Sequence, residues 1–342
     1  MIFTRQWLED FLDLSDISDG QILSCLNTFG VEAEPQGDGC FSATLPDGRA
    51  DLHSVVGIAR ILAAGLQRSL RIPEISLPES DCGSIFEHLD VDTPSESCLR
   101  FSARMAMHCR ICPSPEWLQQ RLLSVGIPPQ NNLRDIAAFV LLETGIPVRM
   151  VDAEDLPQGS LMIRDAFPGE TFTVNGEEIS MNGWEPVLSD ENYTAISPAG
   201  VMGTELSRDC DIVYIFCGIY DREIMMSLSG KFQNSGDILK QHCLGLDPMA
   251  TLPALDRACE LLQSLAGAEI ADGTIDNLNY VPQPGFLPVP EDLDEKILQG
   301  LGTLGFCPND GMLEIPSFRR DVLTSQDLFM EISRLKSAFS LF

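Results

Sequence analysis

The apolar positions at the start of the chain have the spacing of short amphipathic helices. Ser18 and Gln21 have capping-box spacing and Gly30 can take the left-handed conformation that ends a helix, so a helix is predicted between them. A strand over residues 41–45 and a third helix follow. The inward faces of the three helices are apolar: Trp7, Leu8, Phe11 and Leu12 in the first, Ile22, Leu23 and Leu26 in the second, and Val55, Ile58, Ile61 and Leu62 in the third. The pattern indicates a helical module over residues 1–66.

Residues 67–98 mix proline, serine and acidic positions and are predicted to be a connector. After them, strand and helix signals alternate, which is typical of an α+β fold. A strand is predicted over residues 101–111, followed by a helix with Ser114 as its cap and Pro115 in its first turn. A very apolar run over residues 211–219 indicates a central strand, because strands covered on both faces are apolar throughout.

The remaining signals define a hairpin and a last unit. The Asn175-Gly176 pair favours the tight turn of a hairpin. Prolines crowd the segment from Pro282 to Pro290, and a helix, a strand and a second helix follow it. We therefore predict a central domain over residues 99–282 and a small final domain over residues 283–342.

Charge narrows the possible classes of function. The 342 residues include 51 acidic and 22 basic side chains, which gives a formal charge of −29. Apolar residues make up 44% of the chain and charged residues 21%, a balance typical of a folded protein with two or three compact units. Proteins bind nucleic acids mainly by neutralising phosphates with Lys and Arg, so this surface is expected to repel tRNA and DNA.

The sequence shows no targeting, membrane or metal signal. The first residues lack the apolar core of a signal peptide, and no apolar run of about eighteen residues is present, so we expect a cytoplasmic protein. The cysteines are scattered, which indicates reduced, buried thiols. Cys109 and Cys112 form one Cys-x-x-Cys pair on a predicted strand, where they point to opposite faces. Neither a metal nor a cofactor is predicted.

Seven segments carry motifs. They are QWLEDF at residues 6–11, TFGVEAE at 28–34, GRADLHSVVGIAR at 48–60, FVLLETGIPVRMVD at 139–152, AGVMGTE at 199–205, GLDP at 245–248 and PSFRRDVLTSQDLFMEISR at 316–334. In this order they resemble the β subunit of bacterial phenylalanyl-tRNA synthetase. The last segment is the most specific, because it matches the family's PSxRxDIxxxxDLxEEIxR. The segments are distributed along nearly the whole chain, from residue 6 to residue 334.

The resemblance implies an N-terminal helical module, a central B3/B4 domain, which in the family hydrolyses mischarged tRNA, and a small winged-helix-like B5 domain. The family's tRNA-binding OB fold should lie between Glu34 and Gly48, where only a turn fits. The synthetase-like core and the anticodon-binding domain would follow residue 342. The chain is therefore not expected to make aminoacyl-tRNA by itself, and association with an α subunit is not expected either, because the resemblance does not extend to the core that normally makes this contact.

The resemblance also locates a candidate pocket. The family's editing pocket uses a His, an Asn and a Glu, and this chain keeps the Glu as Glu205. Arg149 takes the His position, Ala138 takes the Asn position, and Thr204 replaces the glycine after Gly203. An arginine cannot act as a general base at neutral pH. These five residues are the candidate pocket, and Glu205 is the candidate catalytic residue.

Two interpretations of Arg149 and Glu205 stay open: a remodelled pocket for an anionic small molecule, or an internal ion pair that plugs a dead cleft. Asp135, Glu143 and Asp152 lie in the same region. They are interpreted as helix caps or solvated acids, because unpaired carboxylates are normally exposed.

Two further features are interpreted as structural. His242 precedes the GLDP turn and is expected to be a core histidine. Arg319 and Arg320 lie in an acidic module without the basic face that DNA binding needs, so an Arg–Asp lock on the turn is expected.

These observations support two functions. The first is a non-catalytic binding or scaffold protein, a paralogue of the synthetase subunit with a remodelled editing cleft, whose partner is a small amino-acid-like ligand or a protein. The alternative is a stand-alone deacylase that hydrolyses mischarged Tyr-tRNA for phenylalanine. The family implies tRNA binding, whereas the charge opposes it. The altered pocket and the acidic surface favour the first, and neither DNA nor a membrane is an expected partner.

Overall fold

The computed structural model describes residues 1–77, 81–156, 158–174, 176–206, 208–232, 236–290 and 293–341. The helices are α1 (Arg5–Leu8), α2 (Asp19–Thr28), α3 (Val55–Gly65), α4 (Glu116–Ser124), α5 (Asn132–Thr144), α6 (Arg222–Ser229), α7 (Asp237–His242), α8 (Thr251–Ala266), α9 (Glu295–Thr303) and α10 (Ser325–Phe339). The strands are β1 (Ile2–Thr4), β2 (Glu32–Gly37), β3 (Cys40–Thr44), β4 (Asp90–Asp92), β5 (Cys98–Cys109), β6 (Arg149–Asp152), β7 (Ser160–Asp165), β8 (Thr171–Val174), β9 (Glu177–Ser180), β10 (Pro186–Ser189), β11 (Ala195–Pro198), β12 (Cys210–Tyr220), β13 (Glu269–Ile270), β14 (Ile275–Leu278), β15 (Gly285–Pro288), β16 (Cys307–Asn309) and β17 (Met312–Ile315). The α+β class predicted from the sequence is confirmed. Over the described ranges, none of the helices has the length and apolar character needed to cross a membrane.

The first module combines helices α1 to α3 with a three-stranded sheet in the order β1-β3-β2. The capping box of α2 is present, because Ser18 Oγ accepts from the Gln21 N–H and the Gln21 side chain accepts from the Ser18 N–H. Gly30 follows this helix with a φ of 78°. Strands β2 and β3 join through a turn at Asp38 and Gly39, which leaves no room for an inserted domain at that point.

The central sheet has the order β13-β5-β12-β6, and β14 also pairs with β5. Side chains of β12 alternate between two apolar cores. Val213 and Ile215 face the core that contains α5 and α8, whereas Tyr214 and Phe216 face the opposite core. Strand β12 is therefore buried on both faces, which confirms the central strand predicted over residues 211–219.

A second sheet, in the order β11-β10-β7-β4, covers the opposite core. Its strand β4 lies within the predicted connector, residues 67–98, and pairs in parallel with β7. Ile85, Leu89 and Val91 are buried in the same core. The later part of the connector thus packs as part of the central domain. The sequence pattern did not indicate this packing, because the three apolar side chains stand among many polar neighbours.

The last module packs α9 and α10 against a sheet in the order β15-β17-β16. Thr324 and Asp327 form a capping box at the start of α10. One continuous apolar cluster joins this module, the first module and the α5–α8 side of the central sheet. The predicted units therefore share a core.

The start of α4 and the turn between β8 and β9 were both predicted from single residues. Pro115 is the N-cap of α4, whereas Ser114 Oγ donates a hydrogen bond to Asp135 of α5. Asp135 is buried, and its two oxygens accept one hydrogen bond each, from the Gln130 N–H and from the Ser114 hydroxyl. The predicted turn residue Asn175 lies outside the described residues, although strands β8 and β9 on either side of it pair antiparallel.

Candidate functional site

A cleft of about 700 Å³ opens beside α5, the segment after β11 and the start of α7. Ala138, Gly203, Thr204 and Glu205 line it, so the structure brings four of the five predicted pocket residues together. Its volume lies within the range of small-molecule sites.

The segment that ends at Glu205 is held by hydrogen bonds from neighbouring elements. Thr204 Oγ1 accepts a hydrogen bond from the Met150 N–H of β6 at 2.9 Å. Arg134 of α5 donates to the carbonyl oxygens of Glu205 at 2.8 Å and Leu206 at 3.1 Å. By accepting the hydrogen bond from Met150, the Thr204 hydroxyl fixes the cleft wall against β6.

Glu205 lies exposed at the cleft. Its carboxylate makes neither an ion pair nor a side-chain hydrogen bond with any residue of the described ranges. The carboxylate is thus available to solvent or to a molecule in the cleft.

Arg149 lines a smaller cavity of about 40 Å³ next to the cleft. The two cavities share the wall residues Pro147, Val148, Met202 and Ile238. The structure therefore separates Arg149 from the other four predicted residues while keeping it adjacent to them.

The arginine reaches this cavity through the register of the central sheet, where Arg149 of β6 lies opposite Phe216 of β12. Arg149 Nη1 donates to the buried Ser197 Oγ at 2.8 Å. Glu205 and Arg149 are both described, and no ion pair joins them, so the plugging ion pair considered above is not formed. Burial lowers the pKa of Arg149, but the ordinary pKa of a guanidinium lies so far above neutral that the side chain stays charged at neutral pH.

Tyr220 and His242 complete the small cavity. Their rings meet edge to face, with centroids 5.3 Å apart. Burial raises the pKa of Tyr220 and lowers the pKa of His242 to about 3, so both side chains are neutral at physiological pH. His242 Nδ1 is buried and has no hydrogen-bond partner among the described residues. The expected core histidine thus presents an unsatisfied polar atom, which is uncommon in a protein interior.

Three residues of this site carry no sequence signal of their own. Ser197, Tyr220 and Arg134 stand in ordinary strand or helix patterns, and each reaches the site through contacts with residues distant in sequence. Only the resemblance, by placing a pocket at Arg149, directs attention to their neighbourhood.

The three acids near the cleft are buried, which contradicts their interpretation as solvated. Asp152 does cap a short 3-10 turn through the Glu154 N–H, and it also pairs with Arg208. Glu143 forms an ion pair with Arg257 at 2.7 Å. Asp135 accepts the two hydrogen bonds described above. Each carboxylate tolerates burial because donors satisfy it.

No group of three His, Cys, Asp or Glu side chains suited to a metal occurs in the part of the chain that the structure describes. Cys109 is buried and Cys112 is exposed, so the two thiols do not face a common site. Burial raises the pKa of Cys109 to about 12, which makes its thiol unreactive at neutral pH.

Comparison with known proteins identifies the family. The B3/4 domain model matches residues 97–267, half of the chain. The chain therefore belongs to the B3/4 domain family, and the resemblance to the phenylalanyl-tRNA synthetase β subunit is confirmed.

Several curated relatives are named phenylalanine–tRNA ligase beta subunit. The protein from Clostridium acetobutylicum is 29% identical over 305 residues, covering 84% of this chain and 38% of that protein. The protein from Rhodopirellula baltica is 27% identical, covering 98% of this chain and 52% of that protein. A crystallised N-terminal fragment of the phenylalanyl-tRNA synthetase beta subunit from Pyrococcus horikoshii is 14% identical and aligns over 99% of both chains, with a TM-score of 0.49. The chain thus spans about two fifths to one half of the length of these curated relatives.

Proposed function

We propose that this chain is a non-catalytic binding protein, a paralogue of the synthetase β subunit whose remodelled cleft takes the carboxylate of a small amino-acid-like molecule. The observation that carries the proposal is the Arg149 guanidinium, which lines a cavity next to the cleft and forms no ion pair in the described residues, although Glu205 and Asp155 act on it at longer range. A half-buried cation that forms no ion pair is only partly compensated, and the carboxylate of a ligand would complete the compensation.

The chemistry around Arg149 suits binding better than catalysis. An arginine cannot take up a proton at neutral pH, and His242 is neutral and enclosed, with a pKa of about 3. Tyr220 and Ser197 add hydroxyl groups. The pocket therefore offers one fixed positive charge and neutral polar atoms, which recognise a carboxylate and leave its bonds intact.

The deacylase remains the second candidate because Glu205 is exposed at the cleft with a free carboxylate. Such a group can activate a water molecule. The charge of −29 opposes the approach of tRNA, however, and the other carboxylate of the described cleft wall, Asp237, pairs with Lys240 at 3.2 Å.

A thermal-shift screen of the amino acids tests the binding proposal. We expect at least one amino acid to raise the melting temperature of the wild-type protein and to have no effect on Arg149→Met, which keeps the chain length and removes the charge. Arg110→Met, an exposed arginine outside the cleft, is the matched control and should keep the response. A ligand effect of equal size in Arg149→Met, or no effect of any amino acid on the wild type, would overturn the proposal.

A deacylation assay separates the two candidates. Purified protein is incubated with Tyr-tRNA for phenylalanine, and release of tyrosine is compared with the uncatalysed rate. We expect no acceleration. Hydrolysis that is present in the wild type and lost in Glu205→Gln would replace the binding proposal with the deacylase.

A further inference from the structure

A second large cavity, of about 440 Å³, lies on the other side of α5, away from the Arg149 pocket. Its walls come from the first module, from the α5–β6 turn and the start of α8 in the central domain, and from the turn of the last module. Apolar side chains form most of the surface, including Phe11, Ile72 and Met249. The volume matches that of sites for small organic molecules.

Arg60, in the middle of α3, is the unusual polar residue of this cavity. Its guanidinium carbon lies 4.5 Å from the centroid of the Phe318 ring, so the cation stacks on an aromatic face. It makes neither a hydrogen bond nor an ion pair with any part of the chain that is described. Asp51, another residue of the cavity wall, acts on Arg60 only at longer range.

The acidic residues of the same cavity are already occupied. Asp51 accepts hydrogen bonds from Nε and Nη2 of the Arg49 guanidinium, at 2.8 Å each. Glu143 is held by Arg257 in the same manner, at 2.7 and 3.0 Å.

The remaining acid of the cavity, Asp247, accepts from the Ser317 hydroxyl at 2.6 Å and from the Met249 N–H at 3.0 Å. Each carboxylate around the cavity therefore has its own donors. Arg60 is left as the cation that a ligand can reach.

We propose that this cavity binds a small organic monoanion with an apolar body, such as a medium-chain carboxylate, whose head group pairs with Arg60. Five donors on a planar guanidinium match the two oxygens of a carboxylate. The apolar walls then cover the hydrocarbon part of the ligand. Because the cavity has one free cation among several carboxylates, it should select ligands that carry a single negative charge. A doubly charged phosphate ester would be repelled by Asp51 and Asp247.

The position of the site gives the ligand a structural effect. Arg60 belongs to the first module and Phe318 to the last, and the cavity wall includes residues of both. A bound carboxylate would therefore join two modules as well as fill a void. This proposal is independent of the Arg149 pocket and goes beyond the proposed function.

Octanoate is the probe for the test, and octanamide is its neutral counterpart. Titration calorimetry on the full chain should show octanoate binding, with octanamide binding roughly ten- to a hundredfold more weakly because it cannot form the charge-assisted pair. Arg60→Met should reduce octanoate affinity by a similar factor. Arg149→Met, which alters only the other pocket, should leave octanoate affinity unchanged and so separates this proposal from the previous one.

A second pair of variants covers the case in which Arg60→Met does not fold. Ile72 lines the cavity and is 51% exposed, so its replacement does not disturb the core. Ile72→Glu adds a negative charge at the rim and should weaken octanoate binding, whereas Ile72→Gln, of the same size, should not do so to the same extent. Equal binding of octanoate and octanamide, equal affinity in the two Ile72 variants, or no binding of octanoate to the wild type would each overturn the proposal.

Discussion

At the residue scale, burial acts on three side chains around one small cavity. It raises the pKa of Tyr220 and lowers the pKa values of Arg149 and His242, so in each case it favours the uncharged form. Only Arg149 remains charged at neutral pH, because its ordinary pKa is far higher than that of histidine. The cavity therefore contains a single positive charge with two neutral rings beside it.

His242 makes stability depend on pH. The unfolded chain takes up a proton on this histidine below about pH 6.5, whereas the folded protein does not do so until about pH 3. The contribution of His242 to stability is therefore complete above pH 6.5 and is lost as the pH falls through this window, by about 1.4 kcal/mol per pH unit. His242→Leu should remove this part of the pH dependence, measured by urea unfolding between about pH 7 and pH 5.

His108→Asn is the control for this measurement. His108 is exposed and has a φ of 58°, a conformation that asparagine tolerates. This variant should keep the wild-type dependence on pH. If the free energy of unfolding of His242→Leu falls in parallel with that of the wild type, burial of a neutral histidine is not the cause.

From the sequence, the residues of the candidate site could be predicted more completely than the contacts between them. Glu205 and Arg149 could be found because they stand at fixed places in recognisable segments. The Arg149–Ser197 hydrogen bond could not, because it joins β6 to β11 across 48 positions of the sequence. An ion pair between Arg149 and Glu205 was a reasonable expectation from charge alone, yet the segment that carries Glu205 leaves its carboxylate in solvent.

At the scale of single elements, the sequence predicted a structural feature correctly where the interacting residues are only a few positions apart. The capping box at Ser18 and the left-handed Gly30 were both predictable, because each depends on neighbouring backbone groups. Strand β4 was not, since its only reason to be a strand is its pairing with β7. Short strands of this kind depend on distant sequence.

Helix α9 contains two glycines with different surroundings. A Cβ on Gly302 would meet no atom within 4 Å, whereas a Cβ on Gly300 would lie 3.0 Å from Leu335 Cδ2. Gly302→Ala should stabilise the protein by about 0.4–1 kcal/mol, because it restricts the unfolded chain. Gly300→Ala should destabilise it by about 1–3 kcal/mol through overpacking. Chemical denaturation of both variants checks the pair, and a gain in stability from both would contradict the packing described for α9 and α10.

The turn before α10 depends on Arg319, which is 2% exposed. Its guanidinium donates to both oxygens of Asp321 at 2.9 Å and to Glu331 at 3.1 Å, which supports the expected Arg–Asp lock. Arg319→Met should cost about 3–5 kcal/mol, because it removes the guanidinium from Asp321 and leaves the buried Glu331 with Arg334 alone. The exposed neighbour Arg320 is the matched control, and Arg320→Met should stay within about 0.5 kcal/mol of the wild type. Similar denaturation midpoints for the two variants would show that the lock does not stabilise the turn.

At the scale of the whole molecule, the charge of −29 opposes the compact state through mutual repulsion. Added salt screens this repulsion, so the melting temperature should rise between about 0.02 M and 0.5 M NaCl. Potassium chloride should act equally if screening is the cause. A melting temperature that does not change with salt would mean that the ion pairs of the fold already balance the repulsion.

Strand β5 joins the central sheet to two later parts of the chain. It pairs with β12, and then with β13 and β14, which end at Leu278. During synthesis on the ribosome, β5 emerges well before these partners, with its backbone groups unpaired and its apolar side chains uncovered. A gene fragment that stops before codon 269 would lack both β13 and β14 and would leave that edge of β5 unpaired and prone to aggregation.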